Sequence, residues 1–446
     1  MSTKVGVVSL GCDKNRVDTE IMLSELVNGG FVITPNPREA DVIIVNTCAF
    51  LESARREAIE TALEMSGYKD HGKCKKVIIT GCLGEKFGEE VFNELNEVDA
   101  VLGINDYHNI CNVVNSALNG ERKFYHTCSD EVAFGSRILT TAPHVAYLKI
   151  ADGCDNYCTY CLIPYIRGRY RSVKMEKVVA QAKELADKGV KELILVAQDT
   201  TRYGKDLYGE YKLTELIREL SSIKQIEWIR ILYAYPELLN DELLDEIVRN
   251  DKVVKYVDIP LQHVNDEILR KMNRRSNGAS IRNLFDKLSS LNIYARSTFI
   301  CGFPFETNAT IEEVERFLFA YKLRNVGFFP YSREEGTAAA KYDNQVSQRE
   351  KNKYVEKLYN AQYRVLTELN QKDVGRVYKC VIDEYDNFDG EYYFYKGRTY
   401  FMSPEIDGTV HITSKKELIT GNFYNVKITG AAEYDLLGEA ENELTE

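Results

Sequence analysis

A chain of 446 residues with 44% hydrophobic and 28% charged positions has the make-up of a globular protein and is too long for one ordinary core, so two or three domains are expected. No apolar run is long enough to cross a bilayer and the stretch 5–10 is too short for the core of a secretion signal, which predicts a cytoplasmic protein without membrane contact. The formal net charge is -11; from Asp373 onward 15 Asp and Glu stand against 7 Lys and Arg, so -8 falls on the last 74 residues and predicts an acidic surface there.

In chain order, a strand at 4–10 is followed by a helix over about 18–28 that Gly29-Gly30 ends, then by strands near 31–34, 41–45 and 76–80. Near-continuous Val and Ile runs suit a parallel sheet buried on both faces, so 3–119 is expected to be an open parallel α/β domain. Cys12, Cys48 and Cys82 each lie just past a strand end, the edge at which open α/β sheets bind ligands. After Thr140-Thr141-Ala142-Pro143, strands are expected at 146–151, 192–197, 228–233, 256–259, 295–301 and 326–329, with amphipathic helices between them. Six βα units predict a partial (β/α)6 barrel over 140–370, its site at the C-terminal strand ends. A polar helix at about 350–371 leads into short strands such as 378–382 and 423–428, with turn residues at 387–390 and 406–408; 373–440 reads as a small antiparallel β-barrel.

Eleven cysteines in a chain without a secretion signal are not a disulfide framework, because the cytosol keeps thiols reduced; metal binding is the leading reading. Cys154-x3-Cys158-x2-Cys161 follows the first strand of the second domain. Three thiolates bind three irons of a [4Fe-4S] cluster and leave the fourth iron without a protein ligand. S-adenosylmethionine can chelate that iron through its amino and carboxylate groups, and one electron from the reduced cluster then breaks a carbon-sulfur bond to give a 5'-deoxyadenosyl radical. A structural zinc site needs four protein ligands, and neither Cys nor His stands close by to supply the fourth. Tyr160 lies either against the adenine ring or in ordinary packing beside the cluster.

Cys12, Cys48 and Cys82 are spaced by 36 and 34 residues, so only the fold can join them; a second three-thiolate site and ordinary buried cysteines are evenly matched readings. Cys111, Cys301 and Cys380 lie in apolar contexts and read as core, while Cys74 and Cys128, in polar surroundings, are expected near the surface without a function.

Gly11-Cys12-Asp13-Lys14-Asn15 with Val17-Asp18-Thr19-Glu20, Asn46-Thr47-Cys48, Thr80-Gly81-Cys82, and Asp152-Gly153-Cys154 through Cys161 to Arg167-Gly168-Arg169-Tyr170-Arg171-Ser172 resemble the radical S-adenosylmethionine methylthiotransferases. Val196-Ala197-Gln198-Asp199-Thr200, Ile259-Pro260-Leu261-Gln262-His263 and the segment 298–307 add to the likeness. It covers essentially the whole chain as an N-terminal methylthiotransferase domain, a radical S-adenosylmethionine core and a C-terminal TRAM domain. The resemblance implies two [4Fe-4S] clusters: an auxiliary one on Cys12, Cys48 and Cys82, and the radical-generating one on Cys154, Cys158 and Cys161. It also implies S-adenosylmethionine as cofactor, with Tyr160 and Gln198 binding it, and an electron donor such as flavodoxin or ferredoxin. In the family one S-adenosylmethionine methylates a sulfur associated with the auxiliary cluster, and a second makes the radical that removes a hydrogen from the substrate carbon. Asp13 stands where such sequences usually carry Pro, and Phe305 where Gly is frequent; neither touches a cluster ligand, so only local turn geometry is expected to differ.

Lys14-Asn15 and Gln198-Asp199-Thr200 resemble the branch that methylthiolates the β-carbon of an aspartate in small-subunit ribosomal protein S-twelve; the alternative substrate is an adenosine of transfer RNA. The acidic tail independently favours a strongly basic protein over RNA, whose phosphates call for Lys and Arg. Against this stands the run Arg167-Gly168-Arg169-Tyr170-Arg171; close behind Cys161, its expected role is to hold acidic groups of cofactor or substrate. A non-catalytic iron-sulfur or RNA-binding protein is disfavoured by the acidic tail and the open-iron motif.

Overall fold

The computed structural model describes residues 2–127 and 131–444; Cys128 lies outside them. Strands β1 (Lys4–Ser9), β2 (Val32–Ile33), β3 (Val42–Thr47), β4 (Lys76–Gly81), β5 (Ala100–Leu102) and β6 (Lys123–Tyr125) form an all-parallel sheet in the order β2-β1-β3-β4-β5-β6. Every residue of β3, Val-Ile-Ile-Val-Asn-Thr, is buried, as a central strand covered on both faces requires. The chain leaves β1 toward β2 and returns to β3 on the other side, so the crevice between β1 and β3 is a topological switch point, where such sheets bind ligands.

Helix α1 (Asp13–Asn28) starts at Asp13 rather than at 18. Cys12 caps it in extended conformation, and Asp13 places an acid in the first turn, where the helix dipole favours one. Periodicity misses this turn because Lys14, Asn15 and Asp18 are buried for polar contacts rather than apolar packing.

Next come β7 (Val145–Lys149) and a short antiparallel pair, β8 (Ala151–Asp152) with β9 (Arg171–Ser172). Strands β10 (Glu192–Val196), β11 (Trp228–Ile231), β12 (Val253–Gln262), β13 (Tyr294–Cys301) and β14 (Asn325–Pro330) add to β7 in sequence order, all parallel. Along β10 the side chains alternate: Leu193 and Leu195 join the core under the outer helices, Ile194 and Val196 the other face. That other face does not close on itself. Tyr147, Ile194, Trp228 and Tyr256 share one core with Val17 and Ile21 of α1 and with Val381, Phe401 and Phe423 near the C-terminus.

The helix Gln348–Asp373 delivers the chain to β15 (Val377–Phe388), β16 (Tyr393–Thr399), β17 (Val410–Ser414), β18 (Phe423–Ala432) and β19 (Asp435–Leu444), a closed barrel in the order β15-β16-β17-β19-β18. Four pairings are antiparallel and the β17–β19 seam is parallel. Strand β15 runs through Asn387 and Phe388, so the expected turn at 387–390 moves to the residues after Phe388. Buried Glu192 joins barrel and sheet, accepting from Arg230 Nε at 2.8 Å and Arg398 Nη2 at 2.9 Å. Burial pushes its carboxyl up, but the two guanidinium groups outweigh this and hold it below its ordinary value.

The acidic tail is partly internalised: Asp373, Asp383 and Asp407 pair with Arg324, Arg398 and Arg296. Glu384, Asp386, Asp389 and Glu391, on the exposed β15–β16 hairpin, keep the exterior acidic. Cys301 and Cys380 are core residues, and Cys111 is half-buried with its thiol donating to Glu25 O at 3.2 Å. Cys74 corrects the surface expectation: it is buried among Ala40, Ile43 and Val77, because Lys73 and Lys75 turn outward on either side of it. Among the described residues no helix is long and apolar enough to cross a membrane.

Candidate metal centre

Cys154, Cys158 and Cys161 occupy the loop after β8. It can form because Gly153 adopts φ 79°; a Cβ there would sit 2.0 Å from Arg169 O. The Cys154 N–H donates to Gly168 O at 3.1 Å, which closes the base of the loop. Cys154 Sγ accepts from the Asn156 N–H at 3.5 Å and Cys161 Sγ from the Ile163 N–H at 3.4 Å. Cys158 Sγ lies 3.9 Å from Arg274 Nη1 and 3.7 Å from the Tyr235 hydroxyl. Burial pushes the Cys154 thiol up to about 11 and Cys161 up as well. Such a thiol is protonated at neutral pH and becomes a ligand when a metal displaces its proton.

Non-glycine residues in the left-handed region gather at this rim: Tyr157 in the loop (φ 48°), Tyr233 beyond β11 (φ 59°), Gln262 ending β12 (φ 70°) and Phe305 beyond β13 (φ 75°). Each such conformation costs on the order of 1–2 kcal/mol and persists only where the surroundings dictate it, a pattern typical of ligand sites. At Phe305 the surroundings are the Asn344 carbonyl, 3.0 Å from its N–H, and Lys271 Nζ, 3.6 Å from its ring centroid.

The second set arrives from three strand ends of the N-terminal sheet. Cys12 caps α1 beyond β1, Cys48 follows β3, and Cys82 opens the helix Cys82–Glu94 directly after β4. Gly11, at φ 94°, lets the first two approach, since a Cβ there would lie 2.9 Å from Cys48 Cβ. Cys12 is exposed, Cys48 half-buried and Cys82 buried. Burial pushes Cys82 up to about 12; Arg167 opposes the rise, and the Cys12 and Cys48 thiolates add to it, so the three sulfurs share one electrostatic neighbourhood. Among the described residues no three Cys, His, Asp or Glu side chains close to metal-binding distance, so each set is a gathering of thiols rather than a finished ligand shell.

A buried, charge-balanced quartet separates the two sets. Arg167 Nη2 donates to Asp18 Oδ2 at 2.9 Å and Asn15 Oδ1 at 2.6 Å and lies 3.8 Å from Cys82 Sγ; Nη1 donates to Asp152 Oδ2 at 2.8 Å. Lys149 pairs with Asp18 and, at 3.5 Å, with Asp152. Arg167, the first residue of the run 167–171, therefore holds acidic groups of the protein itself and stands beside Cys82. Gln198 Nε2 donates to Asp152 Oδ1 at 2.9 Å and leaves its buried Oε1 without a partner. Tyr160 is half-buried, edge-on to Phe303 at 6.4 Å between centroids.

Asp13 does more than alter a turn. Its Oδ1 accepts from the Tyr233 hydroxyl at 3.1 Å, while Lys14 Nζ pairs with the same oxygen at 3.1 Å and sits 3.0 Å from the Tyr233 ring centroid. This correction to the turn-only expectation ties α1 to the end of β11. Beyond β14, buried Glu334 accepts from the Glu52 N–H at 2.9 Å, Arg55 Nη1 at 2.6 Å and Ser332 Oγ at 2.6 Å, fixing the chain just after Cys48 to the central unit. Sequence reasoning missed Arg274, Tyr235, Lys149 and Glu334, since none belongs to a local motif and each acquires its neighbour only through tertiary contact.

Residues 4–103 match Uncharacterized protein family UPF0004, 148–318 the Radical SAM superfamily and 374–440 the TRAM domain. The chain is 49% identical over 445 residues to a protein of Clostridium botulinum (strain Eklund 17B / Type B) named ribosomal protein uS12 methylthiotransferase RimO, covering 99% of this chain and 98% of that one. Proteins of the same name from Clostridium tetani (46% identity, 98% and 97% covered) and Acetivibrio thermocellus (46%, 99% and 99%) are similar too. Among solved structures, the radical S-adenosylmethionine methyltransferase TsrM from Kitasatospora setae, with cobalamin and a [4Fe-4S] cluster bound, superposes with TM-score 0.55 at 12% identity, covering 87% of this chain and 82% of that one. At that identity the likeness is one of fold.

Proposed function

The chain belongs to the RimO family of ribosomal protein uS12 methylthiotransferases, which are radical S-adenosylmethionine enzymes, and from that membership we propose how its residues divide the reaction. The substrate is the β-carbon of an aspartate in uS12. Cys154, Cys158 and Cys161 hold the [4Fe-4S] cluster at which S-adenosylmethionine binds, and Cys12, Cys48 and Cys82 hold a second [4Fe-4S] cluster that carries the sulfur to be transferred. Residues 3–119, 140–370 and 373–440 are the three domains. The observation that carries this division is the arrival of six cysteines as two sets, from one loop and from three strand ends, on either side of a single buried arginine.

The donor sets fit these groups. Soft thiolates in threes suit iron-sulfur clusters that keep one iron open. When bound and reduced, the first cluster together with S-adenosylmethionine supplies the one-electron chemistry that removes hydrogen from carbon. Gln198, whose buried Oε1 has no partner within the protein, and Tyr160, whose ring packs edge-on to Phe303, would help hold the cofactor. Arg167 and Glu334 tie the two sets together, and Cys12 is the exposed thiol of its set. A small one-electron donor such as flavodoxin or ferredoxin provides reducing equivalents.

Transfer RNA is the competing substrate, and the acids of the β15–β16 hairpin argue against it: they repel phosphate and attract a basic protein. Mass spectrometry of uS12 and of bulk transfer RNA from cells with and without this gene tests the choice. A methylthio group that disappears from uS12 alone is the expected result; one that disappears from transfer RNA alone would overturn it.

A further inference from the structure

Arg167 is buried and spends both ends of its guanidinium on different units of the protein. Nη2 serves the N-terminal side through Asn15 Oδ1 (2.6 Å), Asp18 Oδ2 (2.9 Å) and Cys82 Sγ (3.8 Å); Nη1 serves the central side through Asp152 Oδ2 (2.8 Å). Asp152 in turn accepts from the N–H of Gly153, the residue before Cys154, at 2.9 Å. Asn15 is itself fixed, donating to Leu10 O at 3.1 Å and Thr47 O at 2.9 Å, the backbone that leads into Cys12 and Cys48. One planar fork therefore registers the backbone of one cysteine set against the loop of the other.

We propose that Arg167 is a positioning residue for the auxiliary cluster: it orients the Cys82 sulfur, and its charge and N–H beside that sulfur raise the cluster's reduction potential. The inference rests on the assignment of Cys12, Cys48 and Cys82 as ligands made above. Reduction adds negative charge to a cluster, and hydrogen bonds and net charge at its sulfurs are the protein's main means of setting the potential. The quartet is neutral as a whole, but of its members it is the guanidinium that reaches Cys82, so the field at that sulfur is set by the nearby positive end. In a buried site this interaction is only weakly screened by solvent.

The test is an EPR-monitored redox titration of anoxically purified holoenzyme, with iron counted in each sample. Arg167→Lys keeps the charge and loses the fork; Asp18→Asn combined with Arg167→Gln removes one buried charge of each sign and so keeps the quartet balanced. The charge-balanced variant is expected to lower the auxiliary potential enough to change the oxidised-to-reduced ratio at a fixed potential about tenfold, about 59 mV for one electron. Arg167→Lys should fall between it and the wild type, with the radical-generating cluster unmoved. Selective loss of the auxiliary cluster's iron from the charge-balanced variant would also support the positioning role. An unchanged auxiliary potential in Arg167→Lys and in the charge-balanced variant overturns the proposal, as does an equal shift of both clusters. Should the charge-balanced variant not fold, an unchanged potential in Arg167→Lys alone overturns it. Wild-type protein with iron for a single cluster would instead remove the ligand assignment, a failure visible before any variant is made.

Discussion

In the central unit three cysteines stand on one loop between 154 and 161, whereas in the N-terminal unit three strand ends between 12 and 82 contribute one each. The loop's own backbone donates to two of its sulfurs, and only Cys158 looks outward, to Arg274 and Tyr235. The strand-end set depends on parts that are distant in sequence: Gly11 for the approach of Cys12 to Cys48, Asn15 for the backbone, and Arg167 from the other unit for Cys82. A site written into one loop is thus robust to the position of the rest of the chain. A site assembled from three strand ends depends on the sheet and on its docking. In both, a buried arginine lies within 4 Å of one sulfur, at 3.9 Å for Cys158 and 3.8 Å for Cys82.

Chemistry breaks the comparison most sharply. Cys158→Ala should reduce 5'-deoxyadenosine formation to background, while Cys48→Ala should retain part of it and lose methylthio transfer altogether, both read by chromatography of the anoxic reaction. Equal loss in the two variants, with the untouched cluster intact, would contradict separate roles.

Docking gives the next largest effect. Glu334→Gln leaves Arg55 without its carboxylate and should cost about 1–3 kcal/mol in denaturant unfolding, with a greater loss of methylthio transfer than of 5'-deoxyadenosine formation. A parallel fall of both would show that Glu334 stabilises the fold without registering the two sets.

A pH effect sharpens the central side. Glu306, which accepts from the Gly302 N–H at 2.6 Å, is buried 3.7 Å from His263; burial raises the Glu306 carboxyl to about 8 and lowers His263 to about 3. The spacing resembles an ion pair, but both titrations move away from charge, and burial without a full hydrogen bond makes the neutral pair the sounder reading. The folded state keeps a proton on Glu306 that the unfolded chain has lost, which lowers stability as pH rises toward about 8. His263, neutral when folded but protonated in the unfolded chain below about 6.5, has the opposite slope there, so the net fall is confined to about pH 6.5–8, by at most about 1.4 kcal/mol per pH unit. Glu306→Gln should flatten that slope between about pH 6.5 and 8 and leave stability rising with pH below about 6.5, where His263 alone then titrates, in unfolding measured from about pH 5 to 8.

The smallest effect belongs to the surface. Lys at Asp386, Asp389 and Glu391 should weaken binding of the basic uS12 protein by about 0.2–1 kcal/mol per site, less at high salt. Calorimetry at two ionic strengths reads it.

The comparison also explains what could be read in advance. The six parallel strands of the central sheet were legible because apolar runs such as Glu192–Val196 are continuous, and the cysteine loop because its spacing is local. The first turn of α1 was not, since Lys14, Asn15 and Asp18 are polar yet buried. The short strands β5 and β6 lack runs long enough to stand out, and the parallel β17–β19 seam depends on which strands meet, not on their composition. The convergence of Cys12, Cys48 and Cys82 could be suspected from their strand-end positions, but the arginine beside Cys82 lies 85 residues further along the chain, and spacing carries no trace of it.

The most direct measurement is the iron and acid-labile sulfide content of anoxically prepared protein, taken alongside that of the Cys154→Ala/Cys158→Ala/Cys161→Ala variant. Two independent cysteine sites require about eight irons per chain in the wild type and about four in the variant, each as four-iron clusters. Iron for only one cluster in the wild type, zinc in its place, or a folded variant devoid of iron would contradict them.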